Sequence, residues 1–265
     1  MQRKLAGQTV AITGASAGIG AACARACAER GMHVVLAARR GDRLTALAEE
    51  LRTVSRMAVP VVADVTSEAD MERVVDEAVR ATGRLDVMIC NAGIGYHAAL
   101  EDTPSDAVRR LMDVNFLGSF HAARAALRVF RSRGRGHVVF VSSIVGRRGL
   151  PRSSAYSATK FAQVGLAEAL RAELAGSGID VSIVFPVSTV SELREVMAQE
   201  LGQRVGGVGP RQPAEAVAHA IVRCLTRPRA EVYPYRWSRL LPVLSVMAPT
   251  LGDRVIRRFT RTRRP

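Results

Sequence analysis

The sequence predicts an α/β chain: one doubly wound parallel sheet, covered by helices on both faces, in a single domain. Apolar, β-branched runs recur at 9–12, 33–36, 58–62, 85–89, 137–141 and 181–185. Each is followed by a segment of helical period, the alternation that builds a parallel sheet buried on both sides. A chain of 265 residues, 48% of them hydrophobic, is long enough for one large core. No internal repeat, linker or low-complexity stretch interrupts the pattern before the C-terminal tail.

Taken in order, the first run leads straight into Thr13-Gly14-Ala15-Ser16-Ala17-Gly18-Ile19-Gly20 and a helix over 21–30. Glycines there permit a tight turn and close approach of a ligand to the backbone, and the free amides of a helix N-terminus attract a pyrophosphate. Gly14, Ser16, Gly18, Ile19 and Gly20 are therefore candidate contacts for a dinucleotide. The spacing is Gly-x-x-x-Gly-x-Gly, not the more widely quoted Gly-x-Gly-x-x-Gly.

The second run ends in Ala37-Ala38-Arg39-Arg40, where an acid would bind the ribose hydroxyls of NAD. Arg39 instead suits the 2′-phosphate of NADP, because a guanidinium fork matches a phosphate. NADP(H) is favoured, with NAD(H) kept as the alternative because Asp42 lies close by.

After the third run, Ser67-Glu68-Ala69-Asp70 supplies a cap and early acids ahead of the apolar pattern Met71, Val74, Val75, Ala78, Val79, and Gly83 ends that helix. The fifth run closes at Ser142-Ser143, on the edge where a parallel sheet presents ligands.

Tyr156-Ser157-Ala158-Thr159-Lys160 then opens a helix, so that Tyr156 and Lys160 fall one turn apart on one face. An ammonium beside a phenol favours the phenolate, and such a tyrosine exchanges a proton near neutral pH. Lys160 is also unusual in composition: 36 of the 38 basic residues are arginine, and Lys4 is the other lysine.

The motifs Thr13-Gly14-x-x-x-Gly18-x-Gly20, Asp64-Val65, Asn91-Ala92-Gly93, Asn115, Ser143 and Tyr156-x-x-x-Lys160 occur in an order that resembles the short-chain dehydrogenase/reductase family from about Gly7 to Tyr233. The resemblance implies a Rossmann-type sheet of about seven strands and an NAD(P)-dependent oxidoreductase interconverting an alcohol and a carbonyl. By resemblance, Tyr156 is the acid or base and Ser143, thirteen residues before it, orients the substrate carbonyl. Lys160 lowers the tyrosine pKa and holds the nicotinamide ribose, while Asn115 positions a water in a proton relay. Asp64 and Val65 flank the adenine, and Asn91, Ala92 and Gly93 line the cofactor. Pro186 and Thr189 border the nicotinamide, although Val187 stands where the family has glycine, and Ser191 competes with Thr189 for the role of the usual threonine. The resemblance also implies a homodimer or homotetramer.

The polar, glycine-rich stretch 188–213 is long for a connection and is expected to act as a lid. From 236 onward, an apolar segment precedes six arginines and one acid in 251–265. That extension has three readings: a lid or subunit contact, a peripheral membrane contact, or a disordered basic end. Pro242 and Pro249 argue against one continuous helix there, and a site-bordering extension would favour a lipophilic substrate.

The formal charge of +14 admits nucleic acid, an acidic membrane or phosphorylated ligands. With 5% aromatic residues and no recognised binding motif, nucleic acid is not expected. No apolar run is long enough to span a membrane, and 1–9 lacks the apolar core of a secretory signal, so a cytoplasmic protein is expected. Cys23, Cys27, Cys90 and Cys224 are scattered through helix or strand patterns, with no metal set nearby. The competing functional reading is a catalytically silent NADP-binding sensor or scaffold of the same fold.

Overall fold

The β-branched runs become strands because both of their faces are covered, and side chains such as Val10, Ile12, Val34 and Leu36 are fully buried. The computed structural model describes residues 2–55, 57–189 and 211–260. In these the chain forms β1 (Thr9–Thr13), α1 (Gly18–Ala28), β2 (His33–Ala38), α2 (Gly41–Leu51), β3 (Ala58–Val62), α3 (Glu68–Thr82) and β4 (Val87–Cys90). There follow α4 (Ser105–Leu111), a π-helical turn (Met112–Leu117), α5 (Gly118–Arg133), β5 (Gly136–Val141), α6 (Ser154–Glu173) and β6 (Ile179–Val184). The last elements are α7 (Ala214–Thr226), β7 (Glu231–Val232), a 3₁₀ turn (Arg236–Arg239), α8 (Leu240–Met247) and α9 (Pro249–Thr260).

The strands pair in parallel in the order β3-β2-β1-β4-β5-β6-β7. The two-residue period of each strand divides the core. Val10, Ile12, Leu36, Val139 and Val141 meet Cys23, Leu44, Leu47, Val217 and Ile221 of α1, α2 and α7. Ala11, Val35, Met88, Val138 and Phe140 meet Met71, Val74, Phe130 and Val164 of α3, α5 and α6. Fully burying a side chain of this size contributes about 1.5–3 kcal/mol. The alanine-rich face of α1 allows it to lie close to the sheet, and eight of its eleven residues are buried.

The helix signals at α3 hold: Ser67 Oγ accepts from Asp70 N at 3.2 Å, and Gly83 closes the helix at φ +72°. Several boundaries differ from the sequence reading; β6, for example, runs Ile179–Val184 and not 181–185. α1 starts at Gly18, not at residue 21. β4 starts at Val87, because the Asp86 carboxylate is engaged by Thr9 N at 2.9 Å and by Arg84 at 2.6 Å. A seventh strand, β7, adds to β6, although its two residues make no recognisable run. The extension holds two helices separated at Ala248, just before Pro249, while Pro242 falls in the first turn of α8 and does not break it. Within 236–260, Asp253 pairs with Arg148 and Ile256 is buried; 261–265, where the basic end was expected to continue, lie outside the described residues. Among the described residues no helix is long and apolar enough to cross a membrane.

The strand order reverses between β1 and β4. The connections leave in opposite directions there and open a crevice at the carboxyl ends of the strands, where sheets of this kind take their ligands.

Candidate active site

The crevice is built first by glycine. Gly14 has φ +67°, and a Cβ there would lie 2.9 Å from Ala92 Cα and 3.0 Å from Asn91 Nδ2. Thr13 Oγ1 accepts from Asn91 N at 3.0 Å and Ala92 N at 3.1 Å, while Asn91 Nδ2 donates to Thr13 O at 2.9 Å. These bonds tie the ends of β1 and β4 together. α1 then begins with no capping side chain and no acid in its first turn. Its leading amides therefore have no side-chain competitor for an anion.

At one end of the crevice, Arg40 donates from Nε and Nη2 to Ser16 Oγ at 3.1 and 2.9 Å, which fixes the serine of the glycine-rich turn. Arg39 is held more loosely, with its guanidinium 4.0 Å from Asp64 Oδ2. Asp64 Oδ1 in turn accepts from Thr66 N and Thr66 Oγ1, both at 2.9 Å.

At the other end lie Tyr156 and Lys160 in the first two turns of α6. Lys160 Nζ is 5.7 Å from the centre of the Tyr156 ring and donates to Val141 O at 3.2 Å and Gln163 Oε1 at 3.0 Å. Burial pushes the Lys160 ammonium down to about 7. Burial also pushes the Tyr156 phenol up to about 12, against a hydrogen bond from Ser143 that favours the phenolate. The expected depression of the tyrosine by the lysine is therefore not met. The phenol is enclosed, and the ammonium spends its hydrogen bonds on Val141 and Gln163. At neutral pH the phenol carries its proton.

One cavity of about 360 Å³ joins the two ends. Gly14, Ser16, Gly18, Ile19, Arg39, Asp64, Val65, Asn91, Ala92, Gly93, Tyr156 and Lys160, all marked by the sequence, line it. So do Arg40, Ile94, Val114 and Ser142, which the site reading had left out. Arg40 was visible as the second of two arginines, but nothing in the sequence shows that it reaches Ser16.

Five of the expected residues do not line the cavity. Gly20 sits behind the turn, where a Cβ would strike Gly14 O, so it permits close packing and does not touch the ligand space. Ser143 stands against Tyr156, with its Oγ 3.5 Å from Pro186 O, which brings Pro186 to the reacting end. Thr189 pairs with Gln212 in an isolated bridge that pins the two ends of the expected lid; 190–210, including Ser191, lie outside the described residues. Asn115 is fully buried in the π turn, and its side chain accepts from Ile94 N at 2.8 Å and donates to Ile94 O and Thr159 Oγ1, both at 3.0 Å. Its carbonyl accepts from Gln163 Nε2 at 2.7 Å, a contact between residues 48 positions apart.

This geometry suits a dinucleotide: donors and two guanidinium groups at one end, apolar walls between, and a protonated phenol beside an amine at the other. Among the described residues there is no cluster of three metal-ligating groups.

A family model described as short chain dehydrogenase matches residues 8–202. The uncharacterized oxidoreductase YxnA of Bacillus subtilis is 32% identical over 261 residues, covering 97% of this chain and 73% of its own. An alcohol dehydrogenase from Thermococcus sibiricus, solved with 5-hydroxy-NADP, has a TM-score of 0.73 at 28% identity, covering 85% of this chain and 95% of its own. A dehydrogenase/reductase from Burkholderia phymatum, solved with NAD, superimposes with a TM-score of 0.85 over 94% of this chain and 96% of its own. At 23% identity it speaks for the fold alone.

Proposed function

The chain belongs to the short-chain dehydrogenase family, an oxidoreductase acting on CH–OH groups, and from that premise we propose that it uses NADP(H) in preference to NAD(H) to interconvert a carbonyl and an alcohol, with Tyr156 as proton donor and acceptor. The observation that carries this reading is the single cavity from Arg39 and Arg40 to Tyr156 and Lys160. When bound, the nicotinamide supplies or takes the hydride.

The chain does the rest. Amides of the turn at Gly14, Ser16, Gly18 and Ile19 bind the pyrophosphate, with Arg39 and Arg40 on the 2′-phosphate. Asp64 and Val65 flank the adenine, and Asn91, Ala92 and Gly93 form a wall. Tyr156 and Lys160 would hold the nicotinamide ribose, with Pro186 and Thr189 as the residues that would border the ring. In reduction, Tyr156 gives its proton to the substrate oxygen while the Ser143 hydroxyl donates to the same atom and steadies the developing charge. A phenol that keeps its proton at neutral pH suits this direction.

The reading extends to a lipophilic substrate, to assembly as a homodimer or homotetramer, and to a peripheral contact through the C-terminal extension. Support for a contact surface comes from α8, which leaves Val246 and Met247 each 80% exposed, with Trp237 just before it at 73%. The test is to follow NADPH and NADH consumption by the purified chain against ketones and aldehydes that include long-chain and steroid-like compounds. Turnover with NADPH above NADH supports the reading, and NADH preference overturns the cofactor assignment.

A further inference from the structure

A glutamine with no exposed surface lies one turn beyond Lys160 on the same face of α6. A buried primary amide must find partners for an acceptor and two donors, and Gln163 finds all of them around the reacting end. Its Oε1 accepts from Lys160 Nζ at 3.0 Å. Its Nε2 donates to Asn115 O at 2.7 Å and approaches Ser119 Oγ at 2.6 Å. Ser119 Oγ donates to the same Asn115 carbonyl at 2.8 Å. The orientation of the amide follows from its neighbours. An ammonium only donates and a carbonyl only accepts, so a flipped amide would oppose both.

Both lone pairs of the Asn115 carbonyl are thus taken by protein donors, and Asn115 itself is held by Ile94 and Thr159. We propose that Gln163 is a positioning residue of the reaction, tying the Lys160 ammonium to the Asn115 main chain through its own amide. The inference rests on the oxidoreductase reading above. An amide N–H does not give up its proton near neutral pH, so this link orients Lys160 and favours its charged form without conducting a proton. Among the described residues, the titratable group against Lys160 is Tyr156 of its own helix. β5 presents the Val141 carbonyl, the chain after β4 presents Gly93, and the π turn presents Asn115.

The chain contains two lysines, Lys4 and Lys160, so ¹³Cε-lysine labelling yields two NMR signals and the Lys160 protonation midpoint is read directly in the cofactor-free protein. In Gln163→Leu the acceptor is lost, and the midpoint is expected to fall by about one unit, a tenfold change in the protonation equilibrium. In Gln163→Ala, which leaves room for a water between Lys160 and Asn115, it is expected to return toward the wild-type value. In Gln163→Leu kcat is expected to fall about tenfold, with the cofactor Kd within about threefold of wild type. An unmoved Lys160 midpoint in folded Gln163→Leu, or a midpoint in Gln163→Ala as low as in the leucine variant, overturns the proposal. Absence of turnover in the wild type would count against the oxidoreductase reading instead, and the lysine titration would still decide the role of Gln163.

Discussion

Replacing Arg39 with alanine separates the two cofactors. Among the described residues Arg39 makes one weak contact, the 4.0 Å approach to Asp64, and its side chain is 63% exposed, so its removal disturbs the fold little. A hydrogen bond from a guanidinium to a phosphate contributes about 1.5–3 kcal/mol when shielded. Solvent screening at this exposure places Arg39 at the low end. The expected loss is about 1.4 kcal/mol, a tenfold rise in the Kd of NADPH, with the Kd of NADH unchanged within twofold. Arg40→Ala behaves differently, because Arg40 also holds Ser16 at 2.9 Å: both cofactors weaken, NADPH more. Fluorescence titration of each cofactor against the two variants measures these ratios. Equal losses of NADPH and NADH in Arg39→Ala, or no loss of either, would refute the assignment of the 2′-phosphate site.

Three further outcomes follow from other parts of the molecule. Gly14→Ala places a side chain at φ +67° against Ala92; the left-handed conformation costs about 1–2 kcal/mol and the crowding about 1–3 kcal/mol more, so urea denaturation should show a loss of at least about 2 kcal/mol together with weakened cofactor binding. His137 is buried, bonds Ser182 Oγ at 2.8 Å through Nε2, and is pushed down to about 4 by burial. Its neutral form is the folded one, so stability is complete above about pH 6.5 and falls as the pH drops toward 4, by roughly 3 kcal/mol in all; His137→Gln should flatten that part of the pH–stability curve, and an unchanged slope would contradict the assignment. Replacing Val246 and Met247 with serine removes the most exposed apolar side chains of α8 and should at least halve co-sedimentation with anionic vesicles, whereas absence of wild-type binding would leave self-association, read by sedimentation velocity, as the function of that surface.

The parallel sheet was legible because strands covered on both sides need unbroken β-branched runs, and six of the seven strands have one. β7 was not, because Glu231 and Val232 are too short to set a period and are placed by the β6 edge. The start of β4 depended on Asp86, whose partners Thr9 and Arg84 become visible only in space. The glycine-rich turn, Tyr156 and Lys160 are local patterns and could be read directly. Which arginine reaches Ser16 is a packing outcome, as is the role of Gly20, whose neighbour Gly14 O is brought to it by the fold of the turn. Gln163 carries no local signal at all; its meaning comes from Asn115 and Ser119, on elements far away in the chain. The tyrosine pKa was misjudged because spacing reports proximity to Lys160 but not enclosure of the phenol.

Tyr156→Phe, assayed for carbonyl reduction and for cofactor binding in the same preparation, tests the proton-donor role of Tyr156. The phenyl ring preserves the packing and removes the hydroxyl, so a cofactor Kd within about threefold of wild type and turnover lowered by about 10²–10⁴ are expected. Turnover retained within tenfold of wild type would contradict the assignment of Tyr156 as the proton donor.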